Sequence, residues 1–209
     1  MSLLKKFFKW VGILLVGIGF AFAVLVVFRA FHFYNLDETT EQVAKIHSTK
    51  LTLADVMGDN LPPDPGQNAD KTIQGVDANQ NNIRDDVELA IFREYPNSTK
   101  TRAVLLQYAL ALQMMTIQPT LNTEIVTKVI QEKSRSYACV GQALVRDDEN
   151  EDIMKKYFED ADRLRLFVEE KQINTPARTR YDEDFYNNVG SYSESENEVC
   201  DIDLSTLSN

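Results

Sequence analysis

Residues 98–117 read STKTRAVLLQYALALQMMTI. Apolar side chains fall on most sides of this stretch, at Ala103, Val104, Leu105, Leu106, Tyr108, Leu110, Leu112, Met114 and Met115, and no glycine or proline interrupts it. So long a run far exceeds an ordinary strand. A helix apolar nearly all round has no face to give to water and must be enclosed by other elements. The stretch is therefore expected to be the buried centre of a helical bundle.

Outward from it the pattern stays helical. A helix over about 83–95 opens on Asp85, Asp86 and Glu88, acids that suit the positive end of a helix dipole, and stops before Pro96. Pro119 separates the central stretch from a helix over about 122–145, which carries Val126, Ile130, Tyr137, Val140 and Leu144 on one stripe. A helix over about 149–171 spaces Ile153, Tyr157, Ala161, Leu164 and Val168 three and four residues apart, and the acids from Asp147 to Glu151 read as its solvated start. Thr175-Pro176 begins a short fifth helix, with proline at the first helical position. The expected fold is mainly α: a bundle of about four to five helices over 72–190, preceded by a transmembrane helix. The tail over 191–209 is acidic, and up to Cys200 its composition predicts disorder.

Toward the N-terminus, Leu61-Pro62-Pro63-Asp64-Pro65-Gly66 allows neither helix nor inner strand and reads as a linker. Residues 35–71 are expected to form a polar stalk with short helices near 39–50 and 53–57, the second stopped by Gly58. Residues 1–34 read as a cytoplasmic stub and anchor. The run from Trp10 to Phe28, WVGILLVGIGFAFAVLVVF, carries no charge, and its nineteen residues span about 28 Å as a helix, close to a bilayer's hydrocarbon thickness. Trp10 at one edge and Phe31, Phe33 and Tyr34 at the other suit the two interfaces. Lys5, Lys6 and Lys9 before the run outweigh Arg29 after it, so the positive-inside rule keeps the N-terminus cytoplasmic and exports residues 35–209. Ala21-Phe22-Ala23 has the form of a signal-peptide cleavage site, but cleavage there would leave Val24 to Phe28 as an apolar new terminus.

Charge divides the same way. The first 29 residues carry +4, so the other 180 must carry −14 to reach the net −10. An outer part that acidic repels phosphate backbones, and no nucleic-acid partner is expected. Cys139 and Cys200 are the two cysteines. In an oxidising compartment they would make one disulfide, closing a loop that stabilises by about 4 kcal/mol in the chain-entropy model; in a reducing one they would be free thiols.

One segment carries chemistry. From Asp77 to Glu88 the sequence DANQNNIRDDVE sets oxygen donors at the spacing of an EF-hand loop. Asp77, Asn79 and Asn81 take positions 1, 3 and 5; Ile83 offers its carbonyl at 7; Asp85 stands at 9 and Glu88, the bidentate ligand, at 12. Position 6, where the chain turns left-handed, is Asn82 in place of glycine, and the apolar residue sits at 7 where paired EF-hands place it at 8. The same residues also make a metal-free helix start, with Asx turns supplying the bend and the acids complementing the dipole.

The segment resembles the loop-and-exiting-helix half of dockerin-type and thrombospondin-type calcium repeats, a match of about twelve residues. Together with Leu61-Pro62-Pro63 and Gly75-Val76-Asp77, the run Ile83 to Glu88 is similar to membrane-anchored envelope proteins of Gram-negative bacteria. That resemblance implies the inner membrane, with residues 35–209 periplasmic, and no activity. With two Asn for Asp, calcium affinity is expected in the range of about 10⁻⁴–10⁻³ M, suited to a structural staple.

Other chemistry is not in view. His32 and His47 are the two histidines, with His47 expected in solvent, so no Ser-His-Asp, Cys-His or zinc set can be built in the bundle. No Gly-rich phosphate loop occurs. Carboxylates are plentiful, but nothing singles out a converging pair, and neither catalysis nor a small-molecule substrate is expected. The expectation is a membrane-tethered module that binds another protein, held to the inner membrane by residues 10–28 and braced by Ca2+. The alternatives are a periplasmic hydrolase, an inhibitor or immunity protein, or an accessory subunit of a membrane complex.

Overall fold

The computed structural model describes residues 2–119, 121–144, 150–195 and 197–208. Among them are seven α-helices and no strand: α1 (Ser2–Ser48), α2 (Leu53–Met57), α3 (Asp85–Glu94), α4 (Thr99–Ile117), α5 (Thr123–Gln142), α6 (Glu151–Gln172) and α7 (Pro176–Tyr186). The chain divides into two compact units, one up to Glu41 and one from Gln42. Most of α1 makes the first unit. From Phe7 to Phe28 its large apolar side chains other than Val11 are exposed, Val16 by 74% and Phe28 by 75%, and its most apolar window has mean hydropathy 2.9 with nothing buried. This one helix is long and apolar enough to cross a membrane.

In the second unit every residue from Arg102 to Met115 is buried, so α4 is the axis of the bundle, packed by α2, α3, α5 and α6. Its start is set by Ser98, whose hydroxyl accepts the Thr101 N–H; Asn122, Asn150 and Thr175 cap α5, α6 and α7 in the same way. The acids at 147–149 that were to open α6 lie outside the described residues, and Asn150 is the residue that caps it.

Polar side chains on the buried axis are spent on backbone. Gln107 donates to Val199 O at 2.9 Å and accepts the Asp201 N–H at 2.8 Å. Gln113 donates to Gln74 O at 2.8 Å and accepts from Gln172 Nε2 at 2.6 Å. Arg102 donates to the carbonyls of Val56, Tyr95 and Pro96. Buried donors must be satisfied, and here each satisfies a loop as well as itself.

The second unit takes in more chain than the 72–190 read from sequence. Residues 42–71, read as stalk and linker, lie in it: Ile46, Leu51 and Val56 belong to the core, and Pro62 and Ala69 are buried. The segment is too sparsely apolar to show a periodicity, yet each apolar residue fills a slot. Arg178 of α7 holds 69–73 through the carbonyls of Ala69, Thr72 and Ile73. The tail is likewise irregular but fastened. Val199, Ile202, Leu204 and Leu207 pack on the core, and Gln131 donates to Ser193 O at 2.8 Å. Cys139 and Cys200 form a disulfide, S–S 2.06 Å.

Beside that disulfide lies a buried ion network. Arg135 donates to Glu132 at 2.7 Å and to Asp201 at 2.8 Å, with all three side chains at most 4% exposed. Glu132 also accepts from Ser195 and Asn197, and Lys50 lies within 3.7 Å of it. His47, expected in solvent, is placed 3.2 Å from the same carboxylate.

Candidate metal site

The loop before α3 is built by its own side chains. The Asp77 carboxylate accepts the backbone N–H of Asn81 at 3.2 Å and of Asn82 at 2.9 Å, and Asn81 Oδ1 accepts the Ile83 N–H at 2.9 Å. These Asx-type bonds wind the chain through two left-handed residues, Gln80 at φ 59° and Asn82 at φ 63°. Asn82 thus holds the left-handed turn at the position where calcium loops carry glycine, at a cost of about 1–2 kcal/mol. The Ile83 side chain is fully buried in the core, which anchors the loop to its own bundle and not to a second hand.

Upstream, Gly75 is left-handed at φ 73°, and a Cβ there would fall 2.3 Å from the Arg84 side chain. Arg84 is fully buried; it pairs with Asp86 and donates to the carbonyls of Lys171 and Gln172 at the end of α6. The loop is therefore clamped between α3 and the negative end of α6.

Asp85 and Glu88 are the unusual groups. Asp85 is fully buried, and both its oxygens face the Ala78 N–H, at 3.0 and 3.2 Å. Burial pushes its carboxyl up, against the pull of that N–H, with Asp77 and Asp86 adding to the rise. Glu88 is 1% exposed and accepts from Asn79 Nδ2 at 3.2 Å. Its carboxyl is pushed up to about 7, first by burial, with the Asn79 and Asn81 amides opposing and Asp55 and Asp85 reinforcing. Among the described residues neither Asp77, Asp85 nor Glu88 forms an ion pair. Asn79 Nδ2 also donates to Asn60 O at 2.9 Å, while Asn79 Oδ1 is buried with no hydrogen-bond partner.

Of the six candidate ligands, Asn79, Asn81 and Glu88 are brought together, with Asn81 Oδ1 taken by the Ile83 N–H and its buried Nδ2 left without a hydrogen-bond partner. Asp77 is turned to the loop's own amides, Asp85 to Ala78, and Ile83 is held by its side chain. No three His, Cys, Asp or Glu among the described residues form a group that could hold a metal. The donor chemistry still fits a hard cation. A buried carboxylate without a positive partner and a buried amide oxygen without a donor are both relieved by one ion, and the oxygens of Asp77 and Asp85 keep further lone pairs. Asp77, Asn79, Asn81, Asp85, Glu88 and the Ile83 carbonyl are the groups that would hold it.

The Glu132–Arg135–Asp201 network escapes sequence reading. Its one trace is a Glu-Arg pair three residues apart on the side of α5 that carries Val129 and Val140. Set against known proteins, the chain matches no family model, no curated protein and no solved structure.

Proposed function

We propose that this chain is a membrane-tethered protein whose second unit works outside the cytoplasm as a protein-interaction module, braced by one calcium ion at residues 77–88. The observation that carries the reading is the helix through residues 10–28, apolar on every side and exposed along its length. Such a surface has no place in water, and a bilayer is the solvent that accepts it. The lysines ahead of it favour a cytoplasmic N-terminus, and the Cys139–Cys200 disulfide suits an oxidising compartment such as the periplasm.

Calcium is supported by the buried, unpaired Glu88 beside Asp85. When bound it supplies positive charge to a site that has none of its own. Interaction with a protein is supported by Leu53, Met57 and Leu61, which stay exposed; Met57 and Leu61 flank a groove of about 420 Å³ with Phe92 and Arg93. The groove adjoins the loop through Asn60, whose carbonyl takes the Asn79 amide.

The test is thermal unfolding of the full chain in detergent micelles, first with chelator and then with calcium. Binding to the native state adds about 2.7 kcal/mol at a hundred times the dissociation constant. The wild type is expected to melt several degrees higher in calcium, and Glu88→Gln to show no rise. Equal behaviour of the two proteins at several millimolar calcium removes the metal from the proposal.

A further inference from the structure

A second site lies away from the calcium loop, where α4, α5, α6 and the end of α7 converge on a pocket of about 260 Å³. At its floor the buried Tyr108 hydroxyl donates to Glu169 Oε1 at 2.5 Å. Arg165 donates to the other oxygen of Glu169 at 2.6 Å, and Lys133 Nζ stands 3.6 Å from the carboxylate. Lys133 in turn donates to the Tyr186 hydroxyl and lies 5.2 Å from the centre of that ring. Ser134 and Tyr192 bring hydroxyls 3.4 Å apart to the rim.

Two things mark this as more than packing. First, five segments of chain send polar groups to one point, where leucine would fill the space at lower cost. Second, two cations gather here: Lys133 and Arg165 stand on either side of Glu169, with Asp162 and Asp182 at the edges, in a part of the chain that is otherwise strongly acidic. Glu169 is spent on Tyr108, Arg165 and Lys133. The remaining Arg165 nitrogens reach only Asp162, at 3.4 and 3.5 Å, and that acid is half exposed. Asp182, which also senses Lys133, has its own carboxyl pushed up by burial and lines a different cavity. Lys133, whose one hydrogen bond among the described residues goes to Tyr186, therefore keeps N–H groups to spare. Around it Tyr137, Tyr186 and Tyr192 stay partly exposed, and an aromatic face left in water is a surface for a ring to cover.

We propose that this pocket binds a small organic carboxylate of single-ring size, its anion taken by Lys133 and Arg165 and its ring laid against the tyrosines. Charge-assisted bonds from lysine and arginine select the carboxylate. The volume lies near the lower bound of ligand pockets and admits one ring. A sugar acid and an aromatic acid share this chemistry, and the probes separate them.

The full chain in detergent micelles is titrated by calorimetry with glucuronate and with benzoate, and with glucose and inorganic phosphate as controls. One of the two acids is expected to saturate at millimolar concentration or below, and glucose and phosphate to bind at least about tenfold more weakly. Lys133→Met keeps the stem and removes the charge, and Tyr192→Ala removes one wall; both should weaken the acid at least about tenfold while still unfolding cooperatively. The proposal is overturned if neither acid saturates, if phosphate or glucose binds as well as the acids, or if both folded variants bind like the wild type. Calcium and chelator arms should agree, because the pocket shares no residue with the loop.

Discussion

Glu132 shows how much one side chain can hold. It is almost wholly buried, which by itself would push its carboxyl up, yet Arg135 and Lys50, with Ser195 donating, hold it below the usual carboxylate range. A folded value below the unfolded one stabilises above the unfolded pKa, near 4.5, and the contribution is lost as pH falls through the folded value. Acid melts of the wild type should therefore lose, below about pH 4.5, a stability increment that Glu132→Gln does not lose. At neutral pH the same substitution leaves Arg135 short of one charged acceptor and should cost about 2–3 kcal/mol by chemical denaturation. Equal acid dependence in both proteins would place the charge of Glu132 outside the stability of the fold. Glu88 stands in contrast: among the described residues no cation pairs with it to offset its burial.

At the scale of the element, α2 and the segments around it carry the test. Leu51, 4% exposed, packs in the core although it lies in a stretch that composition assigns to a stalk. Leu51→Ala should cost about 2–5 kcal/mol in chemical denaturation, whereas a true stalk residue would change stability by less than about 0.5 kcal/mol. The bundle helices are legible in the sequence because apolar spacing is a local property: α4 declares itself by having no polar face, and Thr175-Pro176 declares the start of α7. Within residues 42–71 the short helix at 53–57 and its Gly58 stop are legible, but the packing of that segment and of the tail is not, because what holds them is far away in the chain. Leu51 N–H donates to Asp201, 150 residues on, and Gln107 grips Val199 and Asp201 from the centre of α4. The metal loop divides in the same way. Its donor spacing and the left-handed place of Asn82 are local and can be read; that Asp85 turns onto Ala78, and that Asn79 reaches Asn60, depends on contacts no spacing reveals.

For the whole molecule, the disulfide and the network beside it act as one closure. Cys139–Cys200 joins residues 61 apart and pins the tail to α5, next to Arg135 and Asp201. Replacing both cysteines by serine should lower stability by about 4 kcal/mol on the chain-entropy estimate, and limited proteolysis should then cut first within 191–208. A double variant that melts like the wild type would assign the closure to the ion network alone.

The grip of buried polar side chains on α4, α5 and α7 also governs how such a chain can change over generations. Gln107, Gln113, Gln131, Arg102 and Arg178 hold the irregular segments by their carbonyl oxygens, and a carbonyl is the same on every residue. Selection can therefore exchange the side chains of the held segments freely while the holding glutamines and arginines stay fixed. A lineage of this fold would drift at its surface loops and be betrayed by a handful of polar residues inside the bundle.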